Sequence, residues 1–332
     1  MQGQPLVWSN NLKKGKMAPA MASGILSITF YYHHFYIISD LLYFSTIIIF
    51  ILVSTLILWA FLGNLPKEMN SNSSFLNFTI ISAASLILTR TYIYTDFKFL
   101  WPLSVVLDSA CIIYAVASIF LMAKSSRSGE LTPHFSQLNI GVALASSSIP
   151  DTVGLSLQNH VIVSTIAYVP LTSLFLAIVV YFAIATLIVK RHFDEFRINE
   201  IDGTVWIWMG LAALISVACY VITSNLGAEA GSLRPLLGDF RYIFWGISTV
   251  LMLPVVFLTV QKIRDIRKMV FSSSLWSIVF PTAVYSYDTY LISRSLNSNP
   301  LYEMSLIFDL FSLSLFLIFW VLFFKFFPIG NI

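Results

Sequence analysis

Charge is what this sequence has least of. Only 11% of its 332 residues are Asp, Glu, Lys or Arg, under half the share usual in soluble domains, and the mean hydropathy is +0.82. That balance argues against a water-soluble globular fold. Cysteine is nearly absent as well. Cys111 and Cys219 both lie inside long apolar runs, so there is no disulfide framework and no Cys-x-x-Cys metal or redox pair. The 19 Lys and Arg barely outnumber the 16 Asp and Glu and are scattered along the chain. They form no clustered basic face of the kind phosphate neutralisation requires, which argues against a nucleic-acid partner. The motifs of intramembrane or hydrolytic enzymes are also missing: there is no HExxH, no paired-aspartate DxxxD and no GxSxG. An enzyme reading, or a sensor reading, is left with only scattered acidic residues as its site. The chain is expected not to be an enzyme, and neither a cofactor nor a metal is expected.

What is abundant is long hydrophobic runs. A bilayer-crossing helix needs about 20 mostly apolar residues, because no water is available to satisfy its backbone. Ten windows qualify: 18–37, 42–61, 75–94, 101–120, 137–156, 168–187, 203–222, 242–261, 273–292 and 306–325. The fifth is the weakest, diluted by Gln137, Asn139, Pro150 and Asp151, and hydropathy alone leaves it open as a re-entrant segment. The distribution of Lys and Arg favours keeping it. With ten spans, 14 of these residues, from Lys13 to Lys325, fall on one side, and Arg90, Lys98, Arg234, Arg241 and Arg294 fall on the other. The positive-inside rule then puts both termini in the cytoplasm. A cleaved signal peptide fits poorly, since Ala18, Ala20 and Ala22 precede the apolar stretch instead of following it. The expected organisation is a cytoplasmic tail over 1–16, a ten-helix transmembrane transport domain over 17–327 and a cytoplasmic C-terminal tail over 328–332. The plasma membrane is the expected location.

The odd windows start at 18, 75, 137, 203 and 273, roughly one helical hairpin per 60-odd residues, which suggests a five-unit repeat. Gly, Pro, Ser and Thr fill 29 of 100 positions in the odd windows and 19 of 100 in the even ones. Small and hydroxylated residues suit either a wet lumen or close helix contacts, and composition does not separate the two. The fold expected is all-α and integral to the membrane, with ten transmembrane helices arranged as five hairpins around a central pore.

Three segments carry a resemblance. They are Met21-Ala22-Ser23-Gly24-Ile25-Leu26-Ser27, the stretch from Phe244-Trp245-Gly246 to Met252-Leu253-Pro254, and Trp276-Ser277-Ile278-Val279-Phe280-Pro281. Together they resemble the tellurite-resistance/dicarboxylate transporter family, which includes bacterial tellurite-resistance proteins, fungal malate and sulfite transporters and plant slow-type anion channels. The resemblance implies odd helices lining a pore, even helices outside, commonly a homotrimer, and small anions as the transported partner. It also implies that Phe280 is a mid-membrane gate, since an aromatic ring in a narrow apolar constriction excludes hydrated ions. Read without the motif, Phe280 is one more core phenylalanine among 28. Pro281, Pro150, Gly24, Gly154 and Gly210 are candidates for kinking helices or lining the pore, together with Trp276.

Ionisable residues inside the windows are functional candidates by default. Asp151 and Asp288 fall in expected pore-lining helices, Asp108 and Asp309 in outer ones, and Arg90 toward the end of the third window. Asp151 or Asp288 is a candidate for taking up a proton with a carboxylate substrate. The alternative is a charge pair with Arg90 or Arg294. His33 and His34 are expected to sit solvated at the membrane interface among Tyr31, Tyr32 and Tyr36.

Overall fold

The computed structural model describes residues 17–62, 74–95, 97–127, 135–158, 160–194, 203–226, 231–264 and 275–326. The tails expected at 1–16 and 328–332, and His134, lie outside the described residues. Among the described residues, ten long helices run in chain order: α1 Ala18–Tyr32, α2 Tyr36–Leu62, α3 Ser74–Tyr94, α4 Trp101–Arg127, α5 Asn139–Ser156, α6 Tyr168–Asp194, α7 Trp206–Asn225, α8 Leu233–Arg264, α9 Trp276–Leu296 and α10 Asn299–Phe326. A seven-residue helix, His160–Ile166, leads into α6.

Side-chain contacts fix three pairs, α1–α2, α7–α8 and α9–α10, as antiparallel hairpins. Thr46 of α2 bonds Ser23 of α1 at 2.8 Å, while Ser39, at the other end of α2, bonds the Ser27 carbonyl. Ser216 of α7 reaches the Arg241 carbonyl at 2.9 Å, and Trp206 reaches Thr259 at 2.8 Å. Ser312 of α10 meets Thr282 of α9 at 2.8 Å, and Ser305 accepts from Ser286. In each pair the numbering runs in opposite directions.

The odd helices close on themselves. α1 packs on α3, α3 on α5, α5 on α7, α7 on α9, and α9 back on α1. The even helices stand outside this ring. α3 packs mainly on α5 and α1 and only lightly on α4, which turns instead to α5. Burial follows the layering: 89% of the apolar stretch of α7 is buried, against 17% in α2, α4 and α8. Ile48, Ile113, Phe120, Leu253 and Val321 lie exposed on the outer helices, an apolar girdle suited to acyl chains.

Among the described residues, six helices are long and apolar enough to cross a membrane: α2, α4, α6, α7, α8 and α10. The other four are ring helices, which are shorter or carry more hydroxyl groups. α1 has 15 residues and spans about 22 Å at 1.5 Å per residue. The hydroxyls are not orphaned. Ser27, Thr89, Thr152 and Thr282 each bond a carbonyl three or four residues back in their own helix, which lets polar side chains lie in an apolar layer.

The first window, 18–37, overran its helix. α1 ends at Tyr32 because His34 takes a left-handed φ of 65°, while the amides of His34 and Phe35 return to the carbonyls of Tyr31 and Phe30. Asn297, with φ 50°, ends α9 in the same conformation, and the Ser298 amide returns to Ser293. Both turns are left-handed C-caps leading at once into the outer helix of the hairpin. The eighth window, in contrast, was too short. α8 begins at Leu233, so Arg241, expected in a loop, lies inside it. The fifth window forms a regular helix, α5, with Pro150 within it.

Candidate functional site

The contacts of α9 show which way each of its faces looks. Gly210 of α7 packs on Pro281, and Ser216 of α7 bonds Asp288 at 2.7 Å, so positions 281 and 288 face α7. Thr282 and Ser286 face α10. Thr289 receives the Trp245 indole N–H of α8 at 3.2 Å. Tyr287 stacks on Tyr32 of α1 with centroids 5.3 Å apart. At about 100° per residue, Phe280, Val284 and Leu291 fall in the arc between the α1 and α7 directions, which is the arc turned to the inside of the ring. The same construction on α7 uses Gly210 toward α9 and Leu211 toward Gly141 of α5. It turns Ile207, Leu214, Ala218 and Val221 inward. All of these side chains are apolar and buried, Phe280 included at 4% exposure.

The other positions singled out from the sequence sit at helix contacts. A β-carbon on Gly24 would stand 3.1 Å from Leu86 Cβ of α3, and one on Gly154 would stand 2.7 Å from the Tyr92 hydroxyl. At Gly210 it would stand 2.5 Å from Pro281 Cβ. These glycines let ring helices approach closely. Trp276 packs edge-on against Phe316, Phe319 and Trp320, so its ring belongs to the α9–α10 contact. Pro150 and Pro281 are buried inside α5 and α9, where each removes an amide donor and frees the carbonyl four residues back.

Buried charge gathers in four places. Arg90 is 1% exposed. Its Nη2 reaches Asp40 at 2.8 Å and Ser39 at 3.0 Å, and its guanidinium lies 4.7 Å from the Tyr31 ring centre. Its ion-pair partner is therefore Asp40, at the start of α2, and neither Asp151 nor Asp288. Arg294 is exposed at the end of α9. Asp151 of α5 is fully buried, and among the described residues its carboxyl oxygens have no donor apart from the neighbouring carboxyl of Asp108. The charged neighbour it does have is another acid, Asp108 of α4, whose Oδ1 accepts from Ser147 at 2.6 Å.

Asp288 accepts from Ser216 and lies within electrostatic reach of Arg241. Arg241 stacks 4.3 Å over the Tyr220 ring. The fourth place corrects an expectation: His33 is not solvated but 4% exposed. Its Nε2 lies 3.2 Å from Asp309 Oδ2 of α10 and 3.2 Å from Ser305 Oγ. The tight turn after Tyr32 folds this imidazole inward and leaves His34 outside, where its Nδ1 meets the Tyr36 hydroxyl at 2.8 Å. Sequence reasoning missed Asp40 and Arg241 as partners. A signal for Arg241 was there: Leu237, Arg241, Phe244 and Ser248 follow a helical three-four spacing and share the buried face of α8.

Among the described residues no group of three or more His, Cys, Asp and Glu side chains is placed to hold a metal ion. A closed inner ring of helices, jacketed by apolar ones, defines a polytopic helical membrane protein. The chain belongs to the voltage-dependent anion channel (SLAC1) family, whose sequence profile matches residues 15–327. The family assigns it to anion transport across a membrane. No individually curated protein matches the chain.

Proposed function

We propose that all ten helices cross the bilayer, that α1, α3, α5, α7 and α9 line a path for small anions, and that Phe280 occludes this path. The observation that carries the reading is the orientation of α9. Its contacts with α1, α7, α8 and α10 account for every direction except the inward arc, and Phe280 lies in that arc, one residue before the Pro281 that packs on Gly210 of α7. A phenyl ring in a ring of aliphatic side chains blocks passage sterically and by excluding water. The anion belongs to the class of C4-dicarboxylate, tellurite, sulfite, or halide and nitrate. The protein works as a homotrimer in the plasma membrane with both termini in the cytoplasm. It moves its substrate without chemical change.

The test is anion flux into proteoliposomes for wild type and Phe280→Ala, comparing chloride, nitrate and malate with and without an imposed pH gradient. A gradient-independent rise in flux in the variant supports a gate. No change, or a loss of flux for every anion, removes Phe280 from that role. The buried Asp108–Asp151 contact favours a second arrangement, a carrier that moves a proton with its anion, because two carboxyls in contact without a cation are accommodated by holding a proton between them. Wild-type malate uptake that follows the pH gradient supports that arrangement.

A further inference from the structure

Arg241 is an arginine with its most selective edge left unfilled. The guanidinium is buried, its face rests on Tyr220, and among the described residues neither Nε nor Nη2 has a hydrogen-bond partner. Those two groups form the side edge of the fork, the pair that donates two parallel hydrogen bonds to an oxyanion. Asp288 stands close by and is incompletely satisfied in the opposite sense. Its Oδ1 accepts from Ser216 at 2.7 Å, while Oδ2 accepts from nothing among the described residues. The Ser216 hydroxyl that holds this carboxyl also lies 2.9 Å from the Arg241 backbone carbonyl, which places Asp288 beside the backbone of Arg241 where α7, α8 and α9 meet, within electrostatic reach of its guanidinium.

Two vacant donors next to one vacant acceptor form a recognisable template. A halide accepts from the donors but offers nothing to Asp288. A fully deprotonated oxyanion does the same and adds repulsion. A small planar oxyanion that carries one O–H satisfies all three atoms: two of its oxygens accept from Nε and Nη2, and its hydroxyl donates to Oδ2. Buried groups left without partners are costly, so the complement of this site is an anion of that shape.

We infer that Arg241 and Asp288 form a binding site for a singly protonated small oxyanion, beside the end of the ring where α1, α7 and α9 carry Tyr32, Tyr220 and Tyr287. The inference rests on the anion-transport reading for the source of the ligand but not for the geometry of the site.

The test uses the full chain purified in detergent at one fixed pH and titrated calorimetrically with bicarbonate, nitrate and chloride as probes. Bicarbonate is expected to bind tightest. Nitrate, which lacks the O–H, is expected to bind about tenfold more weakly, and chloride more weakly again. Arg241→Lys keeps the charge but removes the fork, so bicarbonate affinity should fall to the chloride level. Equal affinities for the three anions in the wild type, or unchanged bicarbonate affinity in Arg241→Lys, overturn the site. The wild-type comparison stands by itself if the variant does not fold. Selective binding without anion flux in proteoliposomes leaves the site intact and defeats the transport reading, whereas flux without selective binding does the reverse.

Discussion

Gly210 of α7 and Pro281 of α9 meet without room for a methyl group: a β-carbon at 210 would lie 2.5 Å from Pro281 Cβ and 2.9 Å from its Cα. The neighbour is a rigid ring and its backbone, so it cannot swing aside as the tip of a leucine does. Gly210→Ala is therefore expected to destabilise the protein by about 1–3 kcal/mol, the range for overpacked sites. Thermal unfolding in detergent measures this. Gly246→Ala is the control, because nothing stands within 4 Å of its added carbon. Helix propensity alone predicts that it is neutral or stabilising by up to about 1 kcal/mol. Equal effects at the two sites would remove the close contact as the cause.

Arg90 ties α3 to the start of α2 through Ser39 and Asp40. Removing it breaks a buried charge-assisted contact, for which losses of about 3–5 kcal/mol are usual. Asp40 is 39% exposed and rehydrates, so Arg90→Gln is expected to cost less than that, about 2–3 kcal/mol. Arg90→Lys should recover only part, since an ammonium cannot serve Ser39 and Asp40 with the same fork. A lysine variant as stable as wild type in chemical or thermal unfolding would show that charge alone is enough.

His33 and Asp309 join α1 to α10 across 3.2 Å. Single substitutions, His33→Gln and Asp309→Asn, each leave the other partner buried, and the double substitution removes both. A double-mutant cycle is expected to give a coupling of about 1 kcal/mol or more. Additive effects within about 0.3 kcal/mol would mean that the two side chains are merely neighbours.

Much of this architecture is legible in the sequence, because a bilayer imposes length and apolarity on every outer helix. α2, α4, α6 and α10 declare themselves as near-continuous runs of Leu, Ile, Val and Phe. The excess of Gly, Pro, Ser and Thr in the odd windows anticipates the ring, since close approach and internal hydroxyl bonds are what those helices need. Pairings between distant segments are not legible. Nothing near Arg90 in the chain points to Asp40, fifty residues earlier, because that contact exists only once α2 folds back along α1 and α3 packs beside it. His33 misled for a local reason. Its tyrosine neighbours read as an interfacial belt, and one left-handed residue, His34, decides that the imidazole turns inward. The hydropathy window starts after Arg241 because Arg234, Gly238 and Asp239 interrupt the apolar run before it, although the periodic spacing runs on.

Asp151 provides the last prediction. Its hydrogen-bonding neighbour is the carboxyl of Asp108, while Ser147 already serves the other Asp108 oxygen. An amide at 151 is nearly isosteric and brings its own N–H donors, so Asp151→Asn replaces an acid–acid contact by an amide donating to Asp108. Stability is therefore expected to hold within about 1 kcal/mol, because the amide N–H takes the place of the shared proton between the two side chains. Asp151→Leu removes the pairing and leaves Asp108 Oδ2 facing a hydrocarbon, which is expected to lower stability by about 1–3 kcal/mol. Uptake measurements separate structure from coupling. If the pair moves a proton with the anion, Asp151→Asn keeps its fold but loses the dependence of malate uptake on an imposed pH gradient. A stable Asp151→Asn protein whose uptake follows the gradient as wild type does would confine the pair to packing, and the proton would have to travel elsewhere.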